Sequence, residues 1–236
     1  MKNISYKVYN RIVMVLALLF LTELFALFLL SKKVTMLLSH LFHRITKSTT
    51  TTIHILAFLF FPGTLIHELA HALMAGILFV PVGTIELFPK IEGNGVKLGS
   101  VQIAHTDPFR RFLIGVAPFL FGTLLLLGIL FYAAQNNLFT NYLFVIFIAY
   151  LVFEIGNTMF SSKKDMEGAL ELLGVVLFFS IVFYFLGARI PVSPSLLFEQ
   201  PLVVQVLQKG VLFLLIPLGI DFAIMLLMRF ITKRSY

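Results

Sequence analysis

The sequence predicts an all-α polytopic membrane protein, with about six transmembrane helices and a small β-hairpin inserted after the second. Composition is the first observation: of 236 residues, 59% are hydrophobic and 12% charged, with a mean hydropathy of +1.00, against roughly 45–50% apolar and 25% charged in soluble domains. The second is periodic: apolar runs of about 20 residues, the length that crosses roughly 30 Å of hydrocarbon as a helix, recur along the whole chain. The third is charge placement. Eighteen Lys and Arg against 11 acids give a net charge of +7, but the cations are scattered through short inter-span segments, which suits anionic headgroups better than a nucleic-acid groove. The expected partner is the lipid bilayer, and nucleic acid is not one.

The six runs fall at 12–30, 53–79, 112–134, 138–160, 169–186 and 202–228. They form a single membrane domain, 1–236, with a first span and amphipathic segment in 1–52, a core in 53–168 and two C-terminal spans in 169–236. The first run follows Lys2, Lys7 and Arg11 but is long for a signal-peptide core and has no small-x-small cleavage site after it, so it reads as a retained span. Residues 34–45, VTMLLSHLFHRI, follow Lys32 and Lys33 and read as an interfacial amphipathic helix. After the second run, TIELF at 84–88 and VKLGSVQI at 96–103 alternate around Glu92-Gly93-Asn94-Gly95, the pattern of a β-hairpin spanning 84–103. Asp107, just before Pro108, is placed to cap the third span. By the positive-inside rule, an inner amino terminus puts Lys90, Lys97, Arg110, Arg111, Lys163 and Lys164 on the inner side. The minimal loops point to a multi-pass protein of a prokaryotic plasma membrane; nothing sets an oligomeric state.

With no cysteine, thiolate metal sites and cysteine nucleophiles are excluded, and any metal must be held by His, Asp or Glu. Inside the second run, His67-Glu68-Leu69-Ala70-His71 spells H-E-x-x-H. On a helix, residues four apart share a face, so both imidazoles can reach one ion, and the spacing suits Zn2+. Glu68 projects beside the pair, where it can take a proton from water without being a ligand. Each ionisable group in a span costs about 2.5–3.5 kcal/mol on insertion scales unless a partner or cavity offsets it. Three within five residues therefore imply a polar interior site. Catalytic zinc usually has three protein ligands, and the acids nearest the same end of the bundle are Glu154, Asp165 and Asp221.

An H-E-x-x-H in a span, then a β-rich segment, a further span with a Gly-Pro-like element (Gly115 to Pro118, GVAP) and a later Asp resembles the site-2 protease family of intramembrane zinc metallopeptidases. That family's second motif runs Asn, two residues, Pro, three or four residues, Leu-Asp-Gly. Here the stretch from Asn157 to Gly168 keeps an Asn-to-Asp spacing of eight, at Asn157 and Asp165, but lacks the proline, reads Lys-Asp-Met around the Asp, and brings Gly two residues late. The resemblance covers roughly residues 62–168. It implies Asp165 as the third zinc ligand and Asn157 as a catalytic residue that holds the substrate or donates to the oxyanion. The implied activity is zinc-dependent hydrolysis of peptide bonds in membrane-protein or peptide substrates, with Glu68 as general base. Substrate helices must unwind first, and the hairpin is suited to take up an extended segment by strand addition. The alternative is a zinc-binding but non-catalytic membrane protein or a divalent-metal carrier using the same His pair; it has no use for Glu68 off the metal.

Overall fold

The computed structural model describes residues 2–86, 90–92, 95–97, 99–160, 162, 165, 167–185 and 201–233. Among these residues seven α-helices carry the fold: α1 (Lys2–Thr46), α2 (Thr49–Leu59), α3 (Phe61–Ile77), α4 (Pro108–Gln135), α5 (Tyr142–Thr158), α6 (Glu167–Phe185) and α7 (Pro201–Lys233). Between α3 and α4 lie four short strands, β1 (Val82–Glu86), β2 (Lys90–Glu92), β3 (Gly95–Lys97) and β4 (Ser100–Ile103).

The expected six spans are not supported among the described residues. Among the described residues, three helices are long and apolar enough to cross a membrane, within α1, α4 and α7, or four if the bent pair α2–α3 is one span. Two local causes are clear. The second run breaks at Phe60, where α2 and α3 meet at 69°. Pro62 lies in the first turn of α3; it has no N–H for the carbonyl of Phe58, and its ring would collide with that carbonyl in a continuous helix. The fourth run opens with a 3-10 turn, Leu138–Thr140, and is α-helical for only 17 residues afterwards.

The separate amphipathic helix expected at 34–45 is also corrected, because α1 runs unbroken for 45 residues, about 68 Å at 1.5 Å per residue. Its second half is held in the bundle: Val34 and Leu38 are buried with Phe60, Phe153 of α5 and Met225 of α7. Lys32 and Lys33 thus lie within a helix and not in a loop, and Lys32 Nζ sits 3.9 Å from the centre of the Phe28 ring. The main core joins Leu24 and Leu27 of α1, Leu126 and Leu130 of α4, Val152 and Ile155 of α5, and Leu214 of α7.

The β insertion forms as expected. β1 pairs antiparallel with β4, Ile85 opposite Val101 and Glu86 opposite Ser100, with an irregularity between Val82 and Ile85; β2 pairs antiparallel with β3, Glu92 opposite Gly95. Gly93 and Asn94 of the expected turn, Phe88, Lys163, Lys164 and Leu186 lie outside the described residues. Asp107 caps α4, accepting from the Phe109 and Arg110 N–H groups. Those two bonds and the Arg110 charge hold its carboxyl below the ordinary range, the Arg110 N–H contributing most.

Candidate metal centre

Helix α3 presents His67, Glu68 and His71 on its inward side, with Glu68 and His71 buried. The two rings meet edge to face, centroids 4.9 Å apart. Asp165, on the link between α5 and α6, reaches both: its Oδ2 is 3.8 Å from His67 Nε2 and its Oδ1 is 3.5 Å from His71 Nε2. His67, His71 and Asp165 therefore offer three ligand atoms that all lie within 4.8 Å of one another, a group able to hold a metal ion. Tetrahedral zinc with bonds of about 2.0–2.2 Å would space such atoms about 3.3–3.6 Å apart; the His71 contact at 3.5 Å falls in that range and the His67 contact at 3.8 Å lies just outside it.

The other side of each imidazole supports the same reading. His67 Nδ1 lies 2.6 Å from the carbonyl oxygen of Thr158, and His71 Nδ1 lies 2.7 Å from that of Ile114. A carbonyl can only accept, so both Nδ1 atoms carry a proton and Nε2 is the atom that each ring turns toward Asp165: a proton there bonds the carboxylate, and its loss frees a lone pair for an ion. Metal-binding histidines are usually oriented this way, by a donated bond from the nitrogen that does not bind the ion.

Both carbonyls are available for local reasons. Thr158 is the last residue of α5, and the last four carbonyls of a helix have no partner within it. Ile114 lies inside α4, but the residue four further on is Pro118, inside the same helix, which has no N–H to give. Residue type alone did not single out Thr158 or Ile114; the helix end and the proline were the signals that could have found them.

The backbone of Asp165 is fitted closely to α4. A Cβ on Gly115 would overlap the backbone carbonyl of Asp165, so any larger residue there would push the two apart. Asp165 Oδ2 also accepts from the Ser162 N–H at 2.6 Å, while the Asp165 N–H donates to Ser162 Oγ at 3.3 Å. Burial pushes the Asp165 carboxyl up, but His67, His71 and the Ser162 contact outweigh it and hold the group well below the ordinary carboxylate range. It is an anion at neutral pH, as a ligand must be.

The other two candidate acids are occupied elsewhere. Glu154, fully buried in α5, accepts from the Gly63 N–H at 3.2 Å. Asp221 of α7 accepts from Asn157 Nδ2 at 2.8 Å. Asn157 does lie on the wall of the site, yet its amide also donates to the Phe153 carbonyl at 2.9 Å. Both of its N–H bonds are thus in use, and donation to an oxyanion would require one to be released.

The group opens into a cavity of about 970 Å³, lined by Glu68, Asn157, Arg111 and the whole of β4. All four residues of β4, Ser100 to Ile103, border the cavity. Gly99, just before β4, lies over Glu68: a Cβ there would stand 3.1 Å from Glu68 Oε1. Family models, curated proteins and solved structures yield no match to this chain.

Proposed function

We propose that the protein is a zinc-dependent intramembrane metalloprotease that hydrolyses peptide bonds of membrane-spanning substrates, in the plasma membrane of a prokaryote. The observation that carries this reading is the pair of imidazoles, each with Nδ1 bonded to a backbone carbonyl and Nε2 facing one carboxylate, beside a buried Glu that is outside the ligand group. His67, His71 and Asp165 would hold the ion. When bound, zinc supplies Lewis acidity, acidifying water and polarising the scissile carbonyl.

The protein's own groups account for the remaining steps. Glu68 takes the proton from the attacking water and returns it to the leaving amine, the two proton transfers that amide hydrolysis requires. The open edge of β4 offers backbone donors and acceptors to an unwound substrate, holding an extended segment along the cavity by strand addition. The cavity brings water and polar groups to a peptide bond that lipid would otherwise shield.

The test is a panel of single-span peptides offered in detergent or liposomes to wild type and to Glu68→Gln, with metal analysis of both proteins. Wild type should cleave with one zinc per chain, and Glu68→Gln should retain zinc and lose cleavage by about 10²–10⁴-fold. Zinc bound by both proteins, with no cleavage by wild type and metal flux unchanged in Glu68→Gln, would instead favour a carrier.

A further inference from the structure

We infer that Glu154 is a positioning residue for the metal centre, acting as the N-terminal cap of α3 from a neighbouring helix. The inference rests on the metal-holding role of His67, and on a register between α3 and α5. Tyr150 Oη donates to the Leu59 carbonyl at 3.1 Å, Glu154 Oε2 accepts from the Gly63 N–H at 3.2 Å, and Thr158 O accepts from His67 Nδ1 at 2.6 Å. Each pair is separated by 91 residues, and each step is four residues on both partners, about one helical turn.

The middle rung solves a problem created by the break at Phe60. A helix that starts inside the bundle has backbone N–H groups with no intrahelical acceptor, and lipid supplies none. The residue at the cap position is Phe60, whose side chain has no oxygen, and α3 has no side-chain cap of its own. Pro62 contributes no N–H, and the Thr64 N–H reaches the Phe60 carbonyl at 2.8 Å. The Gly63 N–H is met by Glu154. The carboxylate also lies at the end of α3 where the helix dipole favours negative charge.

Glu154 has no exposed surface, and its Oε1 has no hydrogen-bond partner among the described residues, so Gly63 is the group it serves. Gly63 lies one turn before His67 on α3. Releasing the Gly63 rung lets the first turn of α3 shift against α5, and the His67 imidazole shifts with it relative to Asp165. Glu154 therefore sets where the first ligand stands without touching the ion.

The purified full-length protein, stripped of metal and titrated with zinc against a chromophoric chelator, tests this without using proteolysis. Glu154→Ala should weaken zinc by about tenfold or more, the usual effect of losing a group that orients a ligand, and should alter the visible spectrum of the cobalt-loaded protein. Glu154→Gln keeps an acceptor oxygen for Gly63 and should bind zinc within about threefold of wild type, because amide and carboxylate caps are nearly equivalent. Should Glu154→Ala not fold, Glu154→Asp, which withdraws the acceptor by one methylene, should weaken zinc at least threefold relative to Gln, on the same orienting argument. Wild-type affinity and spectrum in Ala or in Asp would overturn the inference, and so would a loss in Gln equal to that in Ala. Failure of wild type itself to bind zinc would overturn the metal reading beneath it.

Discussion

The side chain of His67 donates to the backbone carbonyl of Thr158 across 2.6 Å, joining the first residue of the H-E-x-x-H motif to the last residue of α5. This bond uses a carbonyl that the end of a helix leaves free, and it settles which ring nitrogen of His67 faces Asp165. His71 obtains the same from α4 through Ile114. The site is thus assembled from backbone groups of two helices as much as from side chains.

Pro118 is the cause of the second bond. Replacing it by Ala restores an N–H that can bond to the Ile114 carbonyl and draw it back toward the axis of α4, away from His71. Pro118→Ala should weaken zinc by about tenfold, as loss of a ligand-orienting bond does, while thermal stability holds or rises because an interior proline is unfavourable in a helix. Zinc titration together with a melting curve checks the pair of effects. A variant that loses stability and keeps zinc would break this account.

Gly115→Ala acts on the third ligand. The added methyl meets the Asp165 backbone carbonyl, and the link carrying Asp165 must move away from α4. Zinc affinity should fall at least tenfold, a ligand displacement being no milder than loss of an outer contact, with cleavage falling in step. Isothermal titration of the metal-free protein would show it, and unchanged affinity would mean that the link accommodates the methyl without moving Asp165.

Gly99→Ala should produce the opposite pattern. Its methyl would stand 2.9 Å from Thr64 Cγ2, 3.0 Å from Glu68 Cγ and 3.1 Å from Glu68 Oε1, disturbing the base and not the ligands. Zinc affinity should stay near that of wild type while kcat falls roughly 10–100-fold, part of the 10²–10⁴ that a well-placed general base contributes. Joint loss of zinc would place the effect of Gly99 on the ligands instead.

Much of this site was legible in the sequence because its chemistry is carried by residue types at helical spacing. His67, Glu68 and His71 needed only the four-residue repeat, whereas Asp165 was set apart from Glu154 and Asp221 only by the resemblance to a known family's second motif; the structure brings Asp165 to both imidazoles. The span count was not legible from hydropathy, since apolar content is indifferent to a bend. Residues 53–79 are apolar on both sides of Phe60, and only Pro62 betrays the break. Lys32 and Lys33 misled in the other direction, suggesting a loop where α1 continues, because the burial of Val34 and Leu38 against α7 and Phe60 is a tertiary fact. Glu154 and Asp221 read as spare ligands because a sequence does not tell a metal-binding acid from one committed to a backbone N–H or an amide.

Strand β4 has β1 on one edge and no strand on the other among the described residues, and its four residues line the cavity beside the candidate ligands. If an extended substrate pairs with that free edge, damage to the strand should raise KM or lower kcat without reaching the metal. Val101, opposite Ile85, is the position to change. Proline there removes one N–H of the strand and holds φ near −65°, away from the extended values both edges of a ladder need. Val101→Pro should reduce cleavage of single-span peptides by about tenfold or more, roughly the 1–1.5 kcal/mol of one net backbone hydrogen bond, with zinc affinity unchanged. Threonine at the same position keeps the N–H and the β-branched shape, and should retain cleavage. Equal cleavage by the proline variant and wild type would remove β4 from substrate binding and leave the cavity walls of α3 and α5 to position the peptide.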